Sequence, residues 1–506
     1  MSLKMDGQKY WIYHFIEGIS ILSILAVLLV QLVNVNPFAA GWDQVDYSLA
    51  LERYDLSRMQ PHFPGYPYFI LGGKLISLLT GNTPAALTLF NIILYGSSVI
   101  PVFLLAARHL PRHYAWLLAA IVYTSAYPLA MVNTPMSEGA ALGVFWWYFL
   151  SLVFASEKEK PAYILLPMFL FSILLGVRLS YLPLGIGLLV LLMIKLKWKQ
   201  VSIKSASMIV FIGILFQLVW VAAVAVTEGG LAPFLKLAFG FTGGHFQDWG
   251  GTAALDEASF FGRIKQYTAG NIIWWGVAGR SLALFCCYAV ALLLLLIPGK
   301  KEWKKGVSSD IVWIGVFMAG AYFLWALEAQ NIEKPRHIIP VALLVIFLVI
   351  GFMLKKAKTL PALIVASCLL IIQSGLASAD IREQAREIPA IYQAAYFLEK
   401  QETPLVVYTW EETRVMEYLE MPYSHKRVYT YDVFLHDSSY YQNHSIYLTD
   451  SVVEGFVSQG ADLEGKIEKA AQFRSNSLFD PVYNEIVLYR WKDSGKEQQN
   501  ERNHQE

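Results

Sequence analysis

The sequence predicts an α-helical polytopic membrane protein of about eleven transmembrane helices, closed by a small C-terminal α/β domain. Three observations carry this reading. Of 506 residues, 56% are hydrophobic and only 16% charged, where a soluble chain carries about a quarter. Apolar segments of about 20 residues, the length that crosses a hydrocarbon layer, recur as far as residue 378. After Asp380 they stop, and short alternating helix and strand patterns begin. Aromatic residues make up 14%, with 15 Trp, which suits membrane–water interfaces. A net charge of +1 gives no case for nucleic acid. Cys286, Cys287 and Cys368 all fall in apolar stretches and read as small buried hydrophobes, not as a disulfide framework or metal set.

The first span is Trp11–Val35. It is too long for a signal peptide and has no A-x-A site, so it reads as an uncleaved anchor. The other spans are expected at 85–107, 114–132, 138–155, 161–177, 180–196, 206–227, 271–298, 310–328, 337–354 and 360–378. Tyr66–Leu79 is apolar but short, and reads as an interfacial or re-entrant helix. With eleven spans, the basic residues of the short loops fall on one side: Arg108 and Arg112, Lys158 and Lys160, Lys195 to Lys204, Lys300 to Lys305, and Lys355 to Lys358. That bias makes the N-terminus cytoplasmic. Segments 37–84, 133–137, 228–270, 329–336 and everything after about 379 then face outward.

The stretch Gly41–Tyr68 separates the first two apolar segments. Asp43, Asp46, Ala50 and Arg53 step by three and four, which is one helix face. Pro61, Pro64 and Pro67 preclude helix after that, because each lacks a donor and restricts its predecessor. A short surface helix followed by a rigid turn is expected. On spacing alone Asp43 reads first as an N-cap, with Asp46 favoured by the helix dipole. The loop 228–270, rich in glycine and amphipathic over Leu231–Phe241, reads as a lid or as a plain surface loop.

Ionisable residues at membrane depth are costly and mark function. Glu138 opens the fourth span, Arg178 sits between the fifth and sixth, and Arg280 lies within the eighth. Glu333 and Arg336 flank Pro335 before the tenth, while His62 and Lys74 border the proline turn. Taken singly, these are a helix-dipole acid and snorkelling arginines. Together they place acids and guanidinium groups on one membrane face. Arginine there suits a phosphate, and a carboxylate suits a general base.

Within 380–492, helices are expected at Ile381–Lys400, Glu411–Leu419 and Val452–Gly460. Strands are expected at Pro404–Thr409, Lys426–Tyr429 and Ser445–Leu448, with an antiparallel pair Lys466–Phe473 and Glu485–Trp491. No glycine-rich phosphate fingerprint is present, so no nucleotide is assigned. The tail 493–506 is polar and is expected to be disordered.

These motifs resemble the GT-C superfamily of membrane glycosyltransferases, which includes protein O-mannosyltransferases and the aminoarabinose transferases of lipid A. Asp43-Gln44-Val45-Asp46-Tyr47-Ser48-Leu49-Ala50 resembles the family's first outer loop, D-E-x-Y-Y-x-L-A, and His62-Phe63-Pro64-Gly65-Tyr66-Pro67 its proline-rich re-entry. The Glu138 segment, the Arg178 turn and Pro335-Arg336-His337-Ile338-Ile339-Pro340 resemble other recurring segments. The resemblance implies a multi-pass cell-membrane enzyme, 1–379, with a polyprenyl-phosphate sugar as donor and a glycan, lipid or protein as acceptor. Asp43 would be the general base of an inverting transfer, with Asp46 beside it. Arg178, Arg336 and Arg280 would bind the donor phosphate. Glu138, His62, Tyr66, Lys74, Glu333 and His337 would position substrate. Gln44 stands where the family has a second acid, so a divalent ion on Asp43, Asp46 and Glu138 stays an open question. The rival readings are a lipid or solute transporter, which would need charges along both halves of its spans, and a membrane scaffold.

Overall fold

The computed structural model describes residues 7–255, 259–296, 310–356, 360–401 and 404–492. The basic residues expected at 300–305 and at 358, and the tail 493–506, lie outside the described residues. The chain divides into two compact units. One is Met1–Pro37 with Ala50–Ala385; the other is Phe38–Leu49 with Arg386–Glu506. The boundary expected after residue 379 thus falls after 385. Residues 38–49, expected with the membrane domain, pack with the C-terminal segment instead.

The first unit is helical. Among the described residues, eight of its helices are long and apolar enough to cross a membrane, and up to ten if each of two bent pairs is one span. The eleven expected spans therefore correspond to eight straight spans, two bent pairs and one shorter helix. The first pair, Arg112–Tyr123 and Ala126–Val132, turns by 59°; the second, Phe260–Val277 and Leu282–Leu296, by 106°. The shorter helix is Pro161–Val177. The piece expected to be interfacial forms the helix Pro67–Ser77, eleven residues and too short to span. Cys286 and Cys368, expected buried, lie exposed on helix surfaces, with Cys287 between.

Close helix packing sets the end of this unit where the charges gather. Helix Thr83–Ser97 lies against helix Glu138–Glu157. A Cβ at Gly143 would strike the backbone carbonyl of Leu94, and one at Gly139 the side chain of Asn91. Glycines four apart let two helix backbones approach, as is common between membrane helices.

The second unit carries a five-stranded sheet of order β2-β1-β3-β5-β4. Its strands are β1 (Leu405–Thr409), β2 (Ser424–Arg427), β3 (Ser445–Thr449), β4 (Ile467–Arg474) and β5 (Glu485–Trp491). The first three are parallel, while β5 runs antiparallel to β3 and to β4. Every residue of β1 is buried, as befits a parallel strand covered on both faces. The helix expected at Ile381–Lys400 is broken: one helix ends at Gln384 and another begins at Ala390, just after Pro389. A helix at Tyr431–Ser438 was not anticipated. One core, under Leu405, Val407 and Tyr447, also takes in Ala39 and Val45. The amide of Ala39 donates to the Tyr392 hydroxyl at 3.1 Å.

Candidate functional site

In the first unit the ends of three helical segments bring charges together. Glu138 opens its helix and is 1% exposed. Arg178 follows the helix that ends at Val177, and Arg336 lies in the turn Pro335–Ile338. Both guanidinium groups pair with the same carboxylate oxygen, Oε1 of Glu138: Arg178 Nη2 at 3.0 Å and Arg336 Nε at 3.1 Å. Arg178 Nη1 also donates to Ser137 Oγ at 2.9 Å, and Nη2 lies 3.4 Å from His337 Nδ1. One carboxylate against two guanidinium groups leaves net positive charge in a largely buried place. A buried carboxylate is tolerated only with such partners.

The backbone around this cluster is pinned by buried polar side chains. Asn91 Nδ2 donates to the carbonyls of Thr134 and Met136, and its Oδ1 accepts from the Ala140 amide at 2.8 Å. One asparagine thus fixes the turn that delivers Glu138. Arg263, 2% exposed, donates to the carbonyls of Leu327 and Gln330, each at 2.6 Å, and of Gly251 at 3.3 Å. Asn271 donates to the Ile332 carbonyl at 2.7 Å. Together they hold the segment leading to Arg336. Loop 228–270 is accordingly tied down through Arg263, and its helix Leu231–Gly244 lays Phe241 against His62, ring to ring at 5.7 Å.

Asp43 and Asp46 lie in the second unit, on the helix Trp42–Glu52. Asp43 is half-buried. Asp46 is fully buried, and its Oδ1 accepts from Arg414 Nε and Nη2, each at 2.9 Å. Arg414 also pairs with Glu417 at 2.8 Å. Asp46 is therefore a buried ion-pair partner, where the sequence reading set it beside Asp43 as a second catalytic acid. Nearby Glu412 is buried, and burial pushes its carboxyl above the usual glutamate range despite backbone hydrogen bonds at that helix start.

Other residues singled out in the sequence sit as follows. His62 is buried, with Nε2 at 2.9 Å from the Tyr66 hydroxyl. Lys74 is exposed and donates to the Leu51 carbonyl at 2.5 Å. Arg280 is exposed, in the left-handed region at φ 59°, and lies 4.7 Å over the Trp275 ring. Glu333 is exposed. Among the described residues no group of three or more His, Cys, Asp or Glu could hold a metal ion. Glu138 is taken by two guanidinium groups and Asp46 by one, so neither suits a divalent cation. Asn91, Ser137, Arg263 and Arg414 were missed in the sequence. Only Asn91 left a signal, as an amide inside an apolar run.

No protein-family model matches the sequence, and no curated protein matches it. Solved structures do. ArnT from Cupriavidus metallidurans bound to undecaprenyl phosphate is 12% identical, at a TM-score of 0.55, covering 93% of this chain and 98% of that one. The same protein in the apo state is 12% identical at 0.56, covering 96% and 98%. The Archaeoglobus fulgidus oligosaccharyltransferase is 11% identical at 0.46, covering 85% and 69%. The chain shares the fold of ArnT over nearly its whole length.

Proposed function

We propose that the protein is a membrane glycosyltransferase that moves a sugar from a polyprenyl-phosphate-linked donor to an acceptor hydroxyl. The observation that carries this is the convergence of Glu138, Arg178, Arg336 and His337 from three separate segments, in a fold shared with a protein that binds undecaprenyl phosphate. In the reaction, Asp43 takes the proton of the acceptor hydroxyl as its oxygen attacks the anomeric carbon. The bond from that carbon to the lipid phosphate breaks, its electron pair leaves with the phosphate, and the configuration inverts. Arg178 and Arg336 stabilise the departing dianion, a role for pre-positioned charge in a water-poor site. Glu138 holds both forks in place. Asp46, held by Arg414, positions the helix that carries Asp43. The orientation that supports this chemistry has the N-terminus cytoplasmic, with the charged cluster and the C-terminal unit outside.

The test is incubation of membranes with radiolabelled polyprenyl-phosphate sugars, followed by extraction of labelled products. The wild type is expected to transfer label, and Asp43→Asn to lose about 10²-fold or more in rate, the scale of a general base. Wild-type transfer by that variant would remove Asp43 from the mechanism.

A further inference from the structure

In the second unit one cation has no acid partner among the described residues. Arg427 ends strand β2, and its guanidinium lies over three aromatic rings: Trp410 at 4.4 Å, Tyr429 at 4.8 Å and Trp42 at 5.0 Å. Trp410 and Tyr429 meet edge to face, with ring centroids 5.1 Å apart. Among the described residues the guanidinium of Arg427 has neither ion-pair nor hydrogen-bond partner, and its Nε is buried without one. Arg414, which lies 5.7 Å over the Trp42 ring, is by contrast paired with Asp46 and Glu417. Ring faces hold a guanidinium in place without cancelling its charge. Arg427 is thus oriented and still available to an anion.

Position adds to this. Arg427 and Trp410 sit at the carboxyl ends of adjacent parallel strands, the edge at which α/β sheets bind ligands. Trp42 immediately precedes Asp43. Tyr429 is 59% exposed, so a ring face is open beside the charge. A planar fork matches a carboxylate or phosphate, and an open aromatic face suits a sugar ring.

We infer that Arg427, Trp410, Tyr429 and Trp42 form a binding site for an acidic saccharide, a sugar that bears a carboxylate or a phosphate. The anion sits on Arg427 and the sugar ring against Tyr429. The ligand's role as acceptor rests on the transferase reading; the site itself does not.

The test is titration calorimetry on the purified full chain in neutral detergent, with glucuronate, glucose 6-phosphate, inorganic phosphate and glucose as probes. At least one acidic sugar is expected to bind saturably and at least tenfold tighter than glucose, and the tighter of the two identifies the acid. Arg427→Gln is expected to weaken that binding at least tenfold. Tyr429→Ala is expected to weaken the sugars and leave inorganic phosphate unchanged. Arg427→Lys, which keeps the charge and lacks the fork, is expected to fall between, and it decides the matter if the glutamine variant does not fold. Equal affinity of the Arg427 variants and wild type, equal binding of glucose, or binding of inorganic phosphate alone would overturn the inference. Asp43→Asn separates the two claims. It is expected to bind the probes as wild type does, so loss of transfer with binding intact tests the mechanism and leaves this site standing.

Discussion

Glu138 carries two guanidinium groups on one carboxylate oxygen. Removing its charge leaves one buried and one half-buried cation facing one another. Glu138→Ala is expected to lower stability by about 3–5 kcal/mol, the usual cost of breaking a buried pair, measured as the detergent-solubilised melting transition. A smaller loss would mean that water or lipid already shares the neutralisation. Glu412 offers a pH test away from the membrane spans. Its folded carboxyl titrates above the ordinary value because it is buried, so the native state holds its proton longer than the unfolded chain. The stability it lends is fully present below the ordinary glutamate value of about 4.3 and is lost as pH rises through the folded value. Melting temperatures followed upward from pH 4 should fall across that window in wild type and fall less in Glu412→Gln. Of the charged residues, Glu138, Arg178 and Arg336 stood out because a charge at membrane depth is a signal in itself, while His337 entered only through the family resemblance. The role of Asp46 was not. Spacing set it on one face with Asp43, and nothing local announces a partner 368 residues away.

At the level of helices, the charged cluster depends on how closely Thr83–Ser97 approaches Glu138–Glu157. The Gly143 position has no room for a methyl group beside the Leu94 carbonyl. Gly143→Ala is expected to cost about 1–3 kcal/mol, as overpacking does. It should also reduce transfer, because Glu138 lies little more than one turn away on the same helix. Unchanged melting would show that the two helices can part without consequence. Hydrophobic runs revealed the apolar segments but not their bends. Arg112–Val132 reads as one run, yet it turns by 59° between Tyr123 and Ala126. The turn follows Thr124 and Ser125, whose hydroxyls donate to carbonyls four residues back, local bonds that compete with the helix ladder. The second pair bends after Gly279 and Arg280, both in the left-handed region, which interrupts a helix.

On the scale of the whole chain, the C-terminal unit is not an appendage. It includes residues 38–49, and its core shares Ala39 and Val45 with Tyr392, Leu405 and Met416. The alternation of helix and strand announced an α/β domain, but the segment it borrows lies far upstream and carries no strand or heptad pattern of its own. Arg414→Met would leave the Asp46 carboxylate buried and unpaired, and is expected to destabilise that unit by about 3–5 kcal/mol. Transfer is expected to fall with it through the lost Asp46 pairing, and limited proteolysis within 38–49 reports the loosening. Resistance equal to wild type would separate Asp46 from the support of Asp43.

The unit's two pieces are separated by more than three hundred residues. At about 5–20 residues per second, the earlier piece leaves the ribosome tens of seconds before its companion exists. Until then Val45 and the Asp46 carboxylate have no interior to enter. A chain that stalls between the two pieces holds residues 38–49 without the partners that bury Val45 and pair Asp46. The unit can therefore close only once both of its pieces have been made.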